Sequence, residues 1–166
     1  NSSFESGLAG WSGNNAALAQ VGGGLFGTKA ARVSLGGADP SYSMFAAPRP
    51  VTSTVAGTTY STGAWIRSAT PGRTVCLRVR EWSADGATLL DFVQTCSRSR
   101  EGWQQLAPAS YTTRASGSSL AMQIYSDGAA GQSFDVDGVY LAGAGGGAAA
   151  PETVIDDGPS GTVPET

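Results

Sequence analysis

The stretch VCLRVREWSADGATLLDFVQTC, from Val75 to Cys96, contains the only two cysteines of the chain. Two runs of strand-forming residues flank an Asp-Gly turn signal, which predicts a β-hairpin. If Cys76 lies opposite Cys96, their facing thiols predict a disulfide, because two thiols without histidine do not complete a zinc site. Two unpaired buried thiols are the alternative. The same antiparallel register pairs Arg78 with Gln94, Arg80 with Phe92, and Trp82 with Leu90.

The predicted hairpin has two different faces, because successive strand residues point to opposite sides. One face is apolar and predicts a core contact; it consists of Val75, Leu77, Val79, Leu89 and Val93. The other face carries arginine, glutamine, tryptophan and phenylalanine beside the cysteines. Such a mixture packs poorly in a core and suits a polar ligand with apolar ring faces.

Composition limits the function classes that need to be considered. A chain of 166 residues is long enough for one domain with a core, plus a tail. The net charge of −3 gives no general basic field for nucleic acid, and no apolar run predicts insertion into a membrane. The predicted disulfide, the low lysine content and the abundance of serine, threonine and glycine predict a secreted or cell-surface location.

The remaining strand signals predict an all-β fold. Residues 58–68 and 120–125 alternate between apolar and polar side chains, and 51–55 form a weaker strand. Short strands separated by turn residues, with no credible helix, indicate an antiparallel β-sandwich or jelly roll. The outward side chains of the two stronger strands include Trp65, Arg67, Gln123 and Tyr125.

The chain changes character near residue 142. Residues 1–142 contain all the strong strand signals and predict one domain. The segment AGAGGGAAA that follows has no side chains for a core and is typical of a flexible linker. Residues 143–166 are therefore interpreted as a linker and the start of a following module.

Four motifs occur in a familiar order: NSSFESGLAGW at 1–11, TTYSTGAWIR at 58–67, GWQQL at 102–106 and FDVDGVYL at 134–141. In this order and spacing, they resemble carbohydrate-binding modules of the family 4, 9 and 22 type, which share a galactose-binding-like jelly roll. The resemblance covers about residues 1–142. It implies a non-catalytic, monomeric module of a larger multi-domain protein, which binds a polysaccharide on the concave face of one sheet.

The resemblance also implies a structural calcium ion, Ca2+, between the N-terminal segment and the last strand. Carried onto this sequence, the metal carboxylates are Glu5 and Asp137, completed by backbone carbonyls near Ser3 and at 28–29. Calcium takes six to eight oxygen ligands, so this donor set is chemically adequate. The alternatives are that the two carboxylates are solvated or pair with a nearby cation, and that Asp135 takes the place of Asp137.

Sugar rings stack on aromatic side chains, while planar arginine and glutamine groups hydrogen-bond hydroxyls. The predicted ligand-binding residues are Trp65, Arg67, Arg78, Arg80, Trp82, Phe92, Gln94, Gln123 and Tyr125. They converge on one surface only if their four strands belong to one sheet. One register error would turn Trp65 into the core. The arginines are compatible with an acidic glycan, with a neutral sugar, and with ordinary surface ion pairs.

The sequence contains few combinations of residues that could support catalysis, and we predict that the chain is not an enzyme. Without histidine, a serine or cysteine triad lacks its usual base. A pair of carboxylates cleaving a glycosidic bond is the remaining enzymatic option. Its candidates are Glu81, Asp85, Asp91 and Glu101. A structural or adhesive module that uses the same face for protein contacts is the other alternative. The sequence does not identify the sugar or its linkage.

Overall fold

A computed structural model describes residues 3–129, 131–144 and 152–155 of the chain. These residues form strands and no helix, which confirms the predicted all-β class. The strands are β1 Trp11–Asn14, β2 Ala16–Gly22, β3 Lys29–Leu35, β4 Ser41–Ala46, β5 Thr59–Arg67, β6 Thr74–Trp82, β7 Leu89–Arg98, β8 Gln104–Gln105, β9 Ala109–Thr112, β10 Ser119–Asp127, β11 Ser133–Ala144 and β12 Glu152–Ile155. In this part of the chain there is no helix that could cross a membrane.

The strands form two antiparallel sheets, as predicted for a sandwich. One sheet has five strands in the order β1-β4-β10-β6-β7. The other has the order β2-β3-β11-β5-β8, with β9 added to β5 and β12 added to β11. Neighbours in a sheet are mostly distant in sequence, so the fold depends on long-range pairing more than on local hairpins such as β6–β7.

The core lies between the two sheets and is built from their inward-facing residues. Alternation places every second residue of a strand in the core, so both sheets bury regular apolar rows. The five-stranded sheet contributes residues that include Met44, Leu77, Val79, Met122 and Ile124. The seven-stranded sheet contributes residues that include Val33, Ile66, Val136 and Leu141. The predicted inward faces of β5, β6 and β10 are therefore confirmed.

The hairpin of β6 and β7 has the predicted register over most of its length. Cys76 pairs with Cys96, and their sulfur atoms form a disulfide of 2.04 Å. The two pairs that follow also agree with the prediction. The last pair does not, because a register shift between Glu81 and Trp82 places Trp82 opposite Leu89 instead of Leu90. Leu89 is 43% exposed, so the prediction that it contributes to the core is wrong.

Strand β5 lies in a different sheet from the one that the sequence analysis assumed. It pairs with β11, β8 and β9 in the seven-stranded sheet, whereas β6, β7 and β10 belong to the five-stranded sheet. The expectation that four strands deliver all the ligand-binding residues to one surface is therefore wrong. Residues 51–55 also differ from prediction, since only Val51 forms an isolated bridge, to Leu120.

The predicted domain boundary at residue 142 falls within strand β11. β11 continues to Ala144, and β12 pairs with it, Gly143 lying opposite Glu152. Residues 152–155 thus extend the seven-stranded sheet of this domain. The rest of the predicted linker and following module lies outside the described residues, and that division stays a prediction.

Candidate functional site

A groove of about 330 Å³ lies on the outer face of the five-stranded sheet. Its lining comes from β1, β4, β6 and β10 and from Arg49 in the bend that follows β4. Residues that line the groove include Phe45, Arg49, Arg80, Trp82, Ala121 and Gln123. The groove therefore joins aromatic surface to guanidinium and amide groups.

Seven of the nine predicted ligand-binding residues lie on this outer face, which we call the front face. They are Arg78, Arg80, Trp82, Phe92, Gln94, Gln123 and Tyr125. Register explains their convergence, because Gln123 lies opposite Arg78 on one side of β6 and Gln94 lies opposite it on the other. Three strands thus bring residues from distant parts of the sequence into one polar and aromatic surface.

One half of the front face is a closed hydrogen-bond network around Arg78. Its Nε donates to Gln94 Oε1 at 2.8 Å, and its Nη2 donates to the Tyr125 hydroxyl at 2.8 Å. The Tyr125 hydroxyl in turn donates to Gln94 Oε1 at 2.7 Å. The Arg78 guanidinium also lies 4.6 Å from the centre of the Tyr125 ring and 5.8 Å from that of Phe92. These contacts hold Arg78 in one position.

The other half of the front face is less fully hydrogen-bonded. Arg80 Nη2 donates to Gln123 Oε1 at 3.3 Å, and Gln123 Nε2 donates to Ser43 Oγ at 2.9 Å. Arg80 Nε and Trp82 Nε1 are buried atoms for which the described residues provide no acceptor. Burial lowers the pKa of Arg80, and the positive charges of Arg78 and Arg49 lower it further.

Arg49 is a front-face residue that the sequence analysis missed. Its guanidinium lies 5.1 Å from the centre of the Trp82 ring, and that of Arg80 lies 5.5 Å from the same ring. Arg49 Nη1 donates to Ser119 Oγ at 2.7 Å. Arg49 stands between two prolines in a bend, so no strand alternation indicates which way its side chain points.

The remaining two predicted residues, Trp65 and Arg67, lie on the seven-stranded sheet and contact other parts of the protein. Trp65 packs edge-on against Phe26, with ring centres 6.0 Å apart. Arg67 Nε donates to Asp135 Oδ2 at 3.0 Å, and the guanidinium lies 4.6 Å from the centre of the Trp103 ring. Trp65 and Arg67 therefore pack against other residues on the opposite sheet and do not contribute to the front face.

Glu81, one of the carboxylates considered for catalysis, is completely buried. It accepts hydrogen bonds from the Tyr111 hydroxyl at 2.6 Å, from the backbone N–H groups of Arg114 and Ala115 at 2.8 and 3.1 Å, and from the Ser118 hydroxyl. Burial alone would raise the pKa of Glu81, but these four hydrogen bonds outweigh it and lower the pKa. Its partner across the hairpin, Asp91, pairs with Arg114.

The two predicted metal carboxylates hold the same loop, residues 25–29. Glu5 Oε1 accepts hydrogen bonds from the backbone N–H groups of Thr28 and Lys29 at 2.9 and 2.6 Å. Asp137 Oδ2 accepts from the N–H groups of Leu25 and Phe26 at 2.7 and 2.9 Å. Burial raises the pKa of Asp137, and the charge of Glu5 adds to that effect.

Asp135, the alternative to Asp137 as a metal ligand, forms ion pairs with two arginines. Its carboxylate accepts from Arg32 Nε at 2.7 Å as well as from Arg67. Asp137 is fully buried and makes no ion pair within the described residues. The same part of the chain contains no group of three or more acidic, cysteine or histidine side chains placed to hold a metal.

Comparison with known proteins identifies the fold. No protein-family model matches the sequence, and no curated protein does. The CBM22-1 and GH10 modules of Clostridium thermocellum xylanase 10B, complexed with xylohexaose, match with a TM-score of 0.67 and 17% identity over 84% of this chain and 27% of that one. A family 16 carbohydrate-binding module matches with a TM-score of 0.55 and 24% identity, over 85% of this chain and 96% of that one.

The C-terminal family 22 carbohydrate-binding module of the same xylanase also matches. Its TM-score is 0.62 at 14% identity, over 90% of this chain and 94% of that module. This chain has the fold of a carbohydrate-binding module. These matches confirm the jelly-roll fold that the sequence resemblance implied. Sequence identities this low establish the fold and not the function. The chain spans about a quarter of the two-module CBM22-1 and GH10 chain, the first of these matches.

Proposed function

We propose that this jelly-roll domain is a non-catalytic carbohydrate-binding module that binds a polysaccharide on the front face of its five-stranded sheet. In this proposal, Trp82 and the other aromatic residues of the face stack against sugar rings. Arginine and glutamine side chains donate hydrogen bonds to sugar oxygens. The module belongs to a larger secreted or surface protein, and its disulfide is consistent with such a location.

The observation that carries the proposal is the groove beside Trp82. Its lining alternates ring surfaces with planar hydrogen-bonding groups, which is the combination that an amphipathic sugar chain requires. Proteins of the same fold support a polysaccharide ligand. One was solved with xylohexaose, and another, a family 61 module, with β-1,4-galactotriose.

The carboxylates support a non-catalytic role. Glycoside hydrolysis requires two carboxyl groups that reach the same bond in an open cleft. Glu81 is sealed inside the protein by four donors, and Asp91 is bound to Arg114. Neither carboxylate lines the groove beside Trp82.

We expect the isolated domain to bind at least one polysaccharide in a panel that covers xylans, mannans, galactans, β-glucans and acidic glycans. Binding is measured by retardation in affinity gels and by titration calorimetry. Release of reducing ends is followed in the same mixtures, and we expect none above the level of buffer. Absence of binding across the whole panel contradicts the proposed function, and turnover contradicts its non-catalytic part.

An adhesive module that contacts proteins is the second candidate function. Its support is the apolar end of the β6–β7 hairpin, where Leu89, Leu90 and Phe92 are 43%, 38% and 51% exposed. Leu89 lies opposite Trp82 and Phe92 lies opposite Arg80, and both of these partners line the groove. This candidate is favoured if the domain binds a protein through this end of the hairpin and binds none of the glycans in the panel.

We also propose that calcium binds between Glu5 and Asp137 and stabilises the fold without taking part in ligand contacts. Carboxylate oxygens are suitable ligands for a hard cation, and both carboxylates hold the same loop. No cationic side chain pairs with Asp137 within the described residues. With only two carboxylates at the site, backbone carbonyls near Ser3 and at 28–29 would have to supply further oxygens.

Calcium is expected to raise the melting temperature of the native protein, and a chelator is expected to lower it, because a ligand of the folded state alone stabilises that state. At a calcium concentration of about 100 times Kd, the gain is about 2.7 kcal/mol. Differential scanning calorimetry with calcium, magnesium and chelator measures the effect. The Asp137→Asn variant should lose the response. Equal melting temperatures of native protein in calcium and in chelator contradict the site.

A further inference from the structure

Three arginines gather on the front face without an acidic partner. The guanidinium groups of Arg49 and Arg80 lie 5.1 and 5.5 Å from the centre of the Trp82 ring, and Arg78 precedes Arg80 on β6. The ion pairs among the described residues involve Arg32, Arg67 and Arg114 and leave out all three front-face arginines. The chain as a whole carries a net charge of −3, so this positive cluster does not reflect a basic composition.

The three arginines differ in how their donors are used. Arg78 is fixed by Gln94 and Tyr125, as described above. Arg80 has one long hydrogen bond, of 3.3 Å, and its buried Nε has no acceptor in the described part of the chain. The buried Nε1 of Trp82 also has no acceptor among the described residues. Buried donors without acceptors are costly, and because protein atoms cover both of these nitrogens, a ligand oxygen reaches them only after neighbouring side chains move.

Arg49 and Arg80 offer only donors to this groove, and no acidic side chain among the described residues pairs with them. Gln123 Oε1 already accepts from Arg80, and Ser119 Oγ accepts from Arg49. The nearby carboxylate of Asp85 is turned back onto its own turn, where it accepts from Ser83 and from the backbone N–H of Ala87. A sugar hydroxyl both donates and accepts, whereas a carboxylate or sulfate only accepts. An anionic group therefore matches this end of the groove better than a hydroxyl does.

We propose, building on the proposed function, that the polysaccharide is anionic and that its carboxylate or sulfate group binds between Arg49 and Arg80 beside Trp82. Charge-assisted hydrogen bonds from the two guanidinium groups bind the anion and give both arginines an acidic partner. The added negative charge also relieves the mutual repulsion of the three arginines. The neighbouring sugar ring lies along the groove toward Phe45.

Matched polymers isolate the charge of the ligand. Polygalacturonate and hyaluronan are each compared with the same polymer after reduction of its carboxyl groups to alcohols, and chondroitin sulfate is compared with its desulfated form. We expect at least one polymer to bind about tenfold or more tightly than its counterpart that lacks the carboxylate or the sulfate groups. Desulfated chondroitin keeps its carboxylates, so that pair tests sulfate alone. We also expect the difference to shrink in high salt. The two kinds of pair separate carboxylate recognition from sulfate recognition.

Variants connect that preference to the proposed residues. Arg80→Gln and Arg49→Gln should each reduce the difference between the charged and the neutral polymer. Arg100→Gln, which removes an exposed arginine outside the front face, should leave that difference unchanged. Melting curves establish that each variant is folded. Equal binding of both members of every pair overturns this inference and leaves the proposed function standing. Binding of a neutral glycan alone does the same, whereas binding of no glycan overturns both.

Discussion

Replacing Glu81 by alanine is expected to destabilise the domain by about 3–5 kcal/mol, because it leaves buried donors without an acceptor. The carboxylate joins β6 to the segment between β9 and β10, through Tyr111 on one side and Ser118 on the other. For a domain of this size, the loss corresponds to a decrease in melting temperature of roughly 10 °C or more. Thermal and denaturant unfolding measure it.

Two further variants separate the charge of Glu81 from its shape. Glu81→Gln keeps one acceptor oxygen and should lose less stability than Glu81→Ala. Glu101→Gln, at an exposed position, is the control and should be close to neutral. A loss below about 1 kcal/mol for Glu81→Ala contradicts the structural role assigned to this carboxylate.

The lowered pKa of Glu81 gives the same residue a signature in acid. A carboxyl whose pKa is lower in the folded state stabilises that state above its ordinary value of 4.5. This contribution is lost as the pH falls through the folded-state pKa. Wild-type protein should therefore lose more stability on acidification below pH 4.5 than Glu81→Gln does. Because Glu5 and Asp91 also have lowered pKa values, the difference between the two proteins is the quantity to compare.

Local pattern in the sequence was sufficient to predict much of the fold. The two cysteines and the Asp-Gly turn specify the β6–β7 register from Cys76 to Phe92. Alternation specifies which side chains of β5, β6 and β10 enter the core, because a strand with one buried face has a fixed period of two. The bulge at Trp82 was not predicted, since it depends on how the turn from Ser83 to Thr88 closes with its own hydrogen bonds.

The assignment of strands to sheets was the main error. Both sheets of a sandwich have an apolar inner face and a polar outer face, so β5 and β6 carry the same alternation although they lie in opposite sheets. Nothing local distinguishes Trp65 from Trp82. The difference arises from pairing partners far away in sequence, such as β11 for β5 and β10 for β6.

Long-range contacts also explain the residues whose roles were missed. Glu81 occupies an inward position of β6, where a carboxylate is tolerated only because donors from 30 to 37 residues away surround it. Arg49 reaches the front face by contacting Ser119, 70 residues away. An alternating pattern carries no information about such partners. In a sandwich of this kind, the chemistry of a site depends on the long-range pairing more than on any single motif.

The front face makes Trp82 the aromatic residue most central to the proposed binding site. It lines the groove, and its ring centre lies 5.1 and 5.5 Å from the guanidinium groups of Arg49 and Arg80. Trp65 offers a matched comparison, since it is also an outward-facing tryptophan of a central strand, but on the opposite sheet against Phe26. The two residues therefore separate the effect of the front face from the general effect of losing a tryptophan.

The affinity of Trp82→Ala and of Trp65→Ala for a polysaccharide that the wild type binds is the most direct measurement of the proposed binding face. Titration calorimetry gives the affinities, and melting curves establish that both variants are folded. We expect Trp82→Ala to bind about tenfold or more weakly, because it removes the central ring of the groove, and Trp65→Ala to bind like wild type. Loss of binding in Trp65→Ala with wild-type affinity in Trp82→Ala would contradict the front face as the ligand-binding surface.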